Sequence, residues 1–203
     1  MPITINGTGT ITGLSAGGLP NDSVTSANIA SLAATKLTGQ VPDANANSGG
    51  ILQAVQVTKT DTQGINAGGW TAISGLSLNI TPISTSSRIL IFAQIQIGGS
   101  EIISQDSGLA IYRDSNLILR GDASGSRTRA TVGGGTRSRY EISSNTIMYI
   151  DSPSTTSSTN YNIQIFRVPG PDGTVYINRE WDDGDSTGSF RTASTLIAME
   201  IAG

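Results

Sequence analysis

The chain has 203 residues, of which only 36% are hydrophobic and 13% charged, while 25 are glycine. It contains neither cysteine nor histidine, so disulfides, thiolate chemistry and the commonest general base and metal ligand are excluded. The net charge of −3 argues against nonspecific nucleic-acid binding, which needs a strongly positive surface.

Residues 1–50 differ in composition from the rest of the chain. Ile3, Ile5 and Ile11 alternate with Thr and Asn, which predicts a short strand. Residues 24–37 suit about two turns of helix, and residues 41–50 have the composition of a linker. Ordering the backbone costs about 1–2 kcal/mol per residue. A segment with so few large apolar side chains cannot offset this cost by building a core of its own. The segment is therefore either a disordered tail or a part that orders against identical copies or a larger assembly. The regular alternation favours the second interpretation.

Residues 51–203 carry the pattern of an all-β domain. Nine runs of alternating or continuous apolar residues, separated by Gly, Pro, Ser and Asp, predict strands at residues 51–58, 76–81, 88–97, 109–113, 116–120, 146–151, 161–168, 174–178 and 195–202. Asp114 and Ser115 predict a hairpin turn. We expect an antiparallel, jelly-roll-like β-sandwich, with helix confined to the N-terminal segment.

The run at residues 88–97 is apolar on both faces, which predicts a strand at the centre of a sheet. Gln94 and Gln96 interrupt one of these faces. In a monomer they would simply face solvent, whereas in a trimer that face would meet neighbouring subunits. Both interpretations stay open on the sequence alone.

The first residues show neither the basic region nor the apolar stretch of a secretion signal. No window approaches the roughly 18–20 apolar residues of a membrane span. We therefore expect a soluble protein that is made in a cytoplasm and does not insert into a membrane.

Five arginines fall within a stretch of about twenty residues that also contains the glycine triplet at residues 133–135: Arg120, Arg127, Arg129, Arg137 and Arg139. Guanidinium groups match carboxylate and phosphate, so one interpretation is a site for acidic glycans or lipopolysaccharide phosphate. The other is pairing with Asp and Glu of neighbouring subunits around a threefold axis. The glycine triplet predicts a mobile loop, which favours a contact role.

A second candidate is the acidic segment around Trp181, with Asp182, Asp183 and Asp185. A calcium loop would place acidic residues at alternate positions and close with Glu, and the closing Glu is lacking. We therefore predict no metal and no cofactor. A tryptophan beside carboxylates also suits stacking on a sugar ring and bonding its hydroxyls, and a solvated surface loop is the third interpretation.

A carboxylate pair formed with Asp151 or Asp172 would be needed for a glycosidase, with the two groups roughly 5–10 Å apart. Spacing in the sequence does not place them, and depolymerising enzymes of this kind are usually much longer and built of repeats. We expect no catalytic activity.

Several phrases resemble the tail-fibre and virion structural proteins of tailed bacteriophages, in particular those that infect cyanobacteria and other aquatic bacteria. The resemblance covers nearly the whole chain in shared order, at residues 3–14, 23–30, 37–44, 73–78, 85–91, 112–114, 119–122, 149–153 and 195–201. In that family the N-terminal phrases often recur along a shaft. Here each occurs essentially once, so a long shaft is not expected.

The resemblance implies a homotrimeric fibre in the virion, made in the host cytoplasm and carried as an external tail or baseplate appendage. Residues 1–50 would dock on other virion proteins, through Ile3, Ile5, Ile11 and Leu14. Residues 51–203 would form a sandwich, of the tumour-necrosis-factor-like jelly-roll type, that faces the host. The host or glycan contacts would then be Arg127, Arg129, Arg137, Arg139, Trp181, Asp182, Asp183 and Asp185. Alternatives are an architectural head, neck or decoration fibre that binds only virion proteins, a glycan-active enzyme, or a secreted lectin.

Overall fold

The computed structural model describes residues 50–99, 105–136, 138–168 and 173–203. The predicted N-terminal strand and helix, the predicted docking residues Ile3, Ile5, Ile11 and Leu14, and Arg137 lie outside the described residues. The chain divides into one unit of residues 1–42 and another of residues 43–203, and all described residues belong to the second unit. The domain boundary near residue 50 and the attachment role stay predictions.

The described residues form eleven strands and no helix, which confirms the predicted all-β class. The strands are β1 (Ile51–Lys59), β2 (Gln63–Ile65), β3 (Gly69–Ile80), β4 (Arg88–Gly98), β5 (Gln105–Arg113), β6 (Asn116–Leu119), β7 (Val132–Thr136), β8 (Ile142–Asp151), β9 (Thr159–Arg167), β10 (Val175–Ile177) and β11 (Ser194–Ile201). None of the described ranges contains a membrane-spanning helix.

Two antiparallel sheets make up the predicted sandwich, one of six strands and one of five. Their pairing is nested: β1 pairs with β11, β3 with β9, β4 with β8, and β5 with β6 and β7. From β2 to β5 the strands alternate between the sheets, as when a long hairpin is rolled up into a jelly roll. β4 lies between β11 and β8, so the prediction of a central strand is confirmed.

The core forms where the inward positions of the two sheets meet. Alternate residues of β4, including Ile91 and Ile95, are fully buried, as are Leu109 on β5 and Ile163 and Ile165 on β9. Each such side chain contributes about 1.5–3 kcal/mol through burial. β-branched side chains dominate these positions because they suit a pleated surface that is buried on one face.

A buried polar group ties the two sheets together at one end. The carboxylate of Asp151, at the end of β8, accepts two hydrogen bonds from Nη1 of Arg113 on β5, at 2.9 and 3.1 Å. It also accepts a hydrogen bond of 2.7 Å from the hydroxyl of Tyr161 on β9. Burial, together with the bond to Asp151, raises the pKa of Tyr161 well above its usual range. Asp151 is therefore committed to a structural contact.

The structure differs from the sequence prediction at two strands. The predicted mobile loop at the glycine triplet is wrong, because residues 133–135 lie within β7 and pair with β5. Backbone hydrogen bonds to β5 hold this strand, and they do not depend on side chains. The sequence of β7 therefore needs no alternation of apolar and polar residues. β2 is only three residues long and was not predicted. The predicted hairpin at Asp114 and Ser115 is present between β5 and β6.

Candidate functional site

The acidic segment and the loop that carries Arg139 meet at the end of β4. Two glycines make this approach possible: a Cβ on Gly98 would collide with the carbonyl oxygen of Arg179, and one on Gly99 would collide with that of Ser138. The backbone N–H of Trp181 donates to the carbonyl oxygen of Arg139 at 3.1 Å. The structure thus brings together two of the predicted contact residues, Arg139 and Trp181.

The Arg139 guanidinium lies between two aromatic rings, 5.1 Å from the ring centre of Tyr140 and 5.3 Å from that of Trp181. These are cation–π contacts, in which arginine is found more often than lysine. One side of the Trp181 ring is therefore already covered by a cation. The predicted sugar stacking on Trp181 would use the remaining exposed part of the ring.

Asp183 is the centre of an ion-pair group in the same loop. Arg191 binds it with both Nε and Nη2, each at 2.7 Å, and Nη1 of Arg179 lies 3.5 Å away. Asp183 has a left-handed backbone, φ 48°, which Asp adopts more readily than most residues. Arg179 in turn stacks on Tyr176, 3.9 Å from its ring centre. These contacts use the Asp183 carboxylate to fix the loop.

A cavity of about 360 Å³ opens beside this ion pair, and Asp185, Ser186, Ser189 and Phe190 contribute to its lining. Asp182 is exposed next to it. Among the described residues, no group of three or more acidic side chains is arranged to hold a metal ion. The loop can offer hydroxyl and carboxylate groups to a polar ligand.

Arg127 and Arg129 occupy a different part of the molecule from Arg139. Arg127 lines a second cavity on the outer face of the five-stranded sheet. Arg129 donates from Nε to the carbonyl oxygen of Gly121 at 2.7 Å and so closes its own loop. The predicted arginine group is therefore divided between two locations among the described residues.

Sequence reasoning missed an aromatic cluster on the outer face of the five-stranded sheet, formed by Trp70, Tyr112 and Phe166. The ring centres of Trp70 and Phe166 are 5.3 Å apart, and those of Trp70 and Tyr112 are 6.3 Å apart in an edge-on arrangement. Burial raises the pKa of Tyr112 above its usual value. The sequence did contain a signal for the position of Phe166. Ile163 and Ile165 point inward, so the alternation of side chains along β9 places Phe166 on the outer face.

The outer face of the six-stranded sheet is also unusual, because it is largely apolar. Three rows cross four strands in the order β1, β11, β4, β8, and we call this set the apolar face. The rows are Ala54–Met199–Leu90–Ile150, Gln56–Ile197–Phe92–Met148 and Thr58–Thr195–Gln94–Thr146.

The apolar face contains no charged residue in these rows, and several of its large side chains are open to solvent. Met148 is 70% exposed, Ile150 46% and Phe92 37%. Gln94 and Gln96 both donate from Nε2 to the hydroxyl of Ser144, at 3.1 and 3.2 Å, along one margin. In soluble proteins, large contiguous exposed apolar areas are a general feature of interaction surfaces.

Comparison with known protein families gives no match, and comparison with curated proteins gives none either. Among solved structures, the chain is similar to infectious bursal disease virus Gx strain, with 18% identity and a TM-score of 0.35 over 82% of this chain and 41% of that one. For the Gt strain of the same virus the values are 17%, 0.34, 82% and 42%. For T=1 particles of the D431N mutant of its VP2 protein they are 14%, 0.34, 74% and 36%. The chain thus spans about two fifths of the length of these proteins.

Proposed function

We propose that this protein is a structural subunit of a virion, and specifically a homotrimeric tail or baseplate appendage of a tailed bacteriophage. Residues 1–50 dock on other virion proteins, and the jelly-roll domain faces the host and takes part in adsorption. The protein has no catalytic role in this proposal. The phrases of the sequence that resemble phage fibres support the assignment, and the structural observation that carries it is the apolar face.

The apolar face supports association because a lone copy would leave it in water. Burying a large apolar side chain contributes about 1.5–3 kcal/mol, and two adjacent rows of the face supply several such side chains. Since the rows carry no charge, burying them leaves no unpaired charge at the contact. The amide and hydroxyl groups of Gln56, Gln94 and Thr146 can both donate and accept, so they suit a partner with the same surface.

Sedimentation equilibrium on the full chain tests the association. We expect three times the 20.9 kDa mass of one copy at micromolar concentration. Met148→Glu should yield monomers, because it would bury an unpaired charge. Ser115→Glu, in the exposed hairpin turn, is the matched control and should remain associated. A stable monomer for the parent chain would refute the proposal, and so would an association that Met148→Glu leaves unchanged.

The alternative is an architectural fibre that binds only other virion proteins, and the apolar face suits that role as well. Immunogold labelling of intact phage particles separates the two roles. Label on a distal appendage, with purified protein that blocks adsorption to host cells, supports the host-facing role. Label confined to the head or neck, with no effect of purified protein on adsorption, supports the architectural one.

A further inference from the structure

The outer face of the five-stranded sheet contains a cavity of about 360 Å³ beside the aromatic cluster. Gly133 forms part of its floor, and Phe166, Val168 and Ala130 also line it. The exposed residues Arg127 and Thr128 stand at its rim. None of these residues belongs to the acidic loop or to the apolar face.

The cavity follows from the register of three strands. Phe166 on β9 is the pairing partner of Gly108 on β5, which in turn pairs with Gly133 on β7. Phe166 is thus followed, in the same row, by two glycines, of which Gly108 is covered by Ala130, whose Cβ would lie 3.0 Å from a Cβ built on Gly108. A Cβ on Gly133 would meet no atom within 4 Å, which shows that the space above it is open.

The aromatic cluster holds the Phe166 wall in place. Trp70 pairs with Phe166 across β3 and β9, and its ring also lies against Tyr112 on β5. Ala110, which lies on this outer face, is nevertheless fully buried. The rings are therefore packed, and Phe166 offers a preorganised apolar surface to a ligand.

Arg127 supplies a positive charge at the rim. Its Nη1 donates to the hydroxyl of Ser124 at 2.8 Å, which orients the guanidinium. Within the described part of the chain, no partner is found for its Nε or Nη2. The Nε and Nη2 donors of the guanidinium are therefore available to bind an anionic group.

We propose that this cavity binds one ring of an anionic saccharide. The apolar C–H face of the ring packs on Phe166, and Arg127 binds its carboxylate or phosphate. The volume is at the small end of ligand cavities and fits a single sugar ring. This inference rests on the proposed host-facing role. Its cavity, however, lies on the five-stranded sheet, whereas the apolar face lies on the six-stranded sheet. A failure of saccharide binding can therefore be distinguished from a failure of association.

Ligand-detected NMR titrations of the full chain with glucuronate, glucose 6-phosphate, glucose and inorganic phosphate test the proposal. We expect one or both anionic sugars to bind, and which of them binds identifies the carboxylate or phosphate source. Glucose should bind about tenfold more weakly, because it lacks the charge-assisted bonds to Arg127. Equal binding of glucose, or full competition by inorganic phosphate, would refute the proposal.

Two variants locate the binding. Gly133→Leu fills the cavity from its open side and should abolish saccharide binding, and Arg127→Ala should weaken it about tenfold. Arg120→Ala, an exposed arginine on the same connection, is the control and should bind like the parent chain. Sedimentation and thermal unfolding of the same samples confirm that fold and association are intact. Unchanged binding in Gly133→Leu would show that the ligand lies elsewhere.

Discussion

The two outer faces of the sandwich differ in chemistry although the sheets share one core. The face of the six-stranded sheet presents uncharged rows with exposed Met148, Ile150 and Phe92. The face of the five-stranded sheet presents amides along β9, such as Asn160 and Asn162, next to a packed aromatic cluster. Inward positions are isoleucine-rich in both sheets.

This contrast separates the part of the sequence that specifies the fold from the part that specifies contacts. The inward residues of β4 and β9 are nearly interchangeable in type, since burial requires only apolar groups of suitable volume. Outward residues are free of that requirement. Their difference between the sheets fits the proposal that another protein covers the apolar face while the other face remains in contact with water.

The largest expected effect comes from placing the same charge on each face in turn. Phe92→Lys should weaken association roughly 1,000-fold, because it leaves an unpaired cation in the interface. Gln164→Lys, on the outward side of β9, should leave association unchanged. Sedimentation velocity across a dilution series measures both. The assignment of the faces would be reversed if Gln164→Lys dissociated the oligomer and Phe92→Lys did not.

The second-largest effect is expected at Asp151, whose contacts with Arg113 and Tyr161 link the two sheets at one end. Asp151→Ala removes the acceptor of both Arg113 and Tyr161 and leaves a guanidinium without its partner. We expect a loss of about 3 kcal/mol in the free energy of unfolding, measured by urea titration. Asp122→Ala, at an exposed position, is the control and should change stability little. Equal effects of the two variants would show that the tie contributes nothing.

Much of the fold was predictable because alternation in β-rich runs reports directly on which side of a strand is buried. All nine predicted strands of residues 51–203 are present, as is the hairpin at Asp114. β7 was missed because glycine carries no side-chain signal. Its hydrogen bonds come from β5, which no local pattern of residues 132–136 reveals.

The candidate sites were less predictable because they depend on register between distant strands. Arg127 and Arg139 are close in sequence, yet one lines the cavity beside Phe166 and the other lies against Trp181. Trp70 and Phe166 are far apart in sequence and meet only because β3 pairs with β9. Spacing along the chain does not contain this information.

A smaller effect is expected from pH on the inward side of β11, opposite the apolar face. Glu200 on β11 is fully buried. Burial raises its pKa, but hydrogen bonds from Gln53 and from the backbone of Ile83 outweigh this and leave the pKa below the ordinary 4.5. A lowered folded-state pKa contributes stability above the unfolded pKa, and this is lost as the pH falls through the folded pKa.

Glu200→Gln removes that dependence. Between pH 5.5 and 8 the parent chain should be more stable by about 1 kcal/mol, since its bonds to Glu200 are charge-assisted. The difference should shrink as the pH falls below about 4.5. Urea titrations at a series of pH values measure it, with Asp185→Asn as an exposed control. A difference that stays constant down to pH 3 would contradict the role of the Glu200 charge.

The smallest effect distinguishes the two sides of β7. A Cβ at Gly134 would point inward and lie 3.3 Å from Oγ of Ser107 and 3.4 Å from Oδ1 of Asn145, whereas one at Gly133 would meet open space. Gly134→Ala should therefore cost about 1 kcal/mol through overpacking. Gly133→Ala should stabilise the fold by about 0.5 kcal/mol, because it restricts the unfolded chain. Thermal unfolding midpoints resolve the pair. Equal losses would show that Gly133 faces packed atoms, and the floor of the proposed saccharide cavity would then be closed.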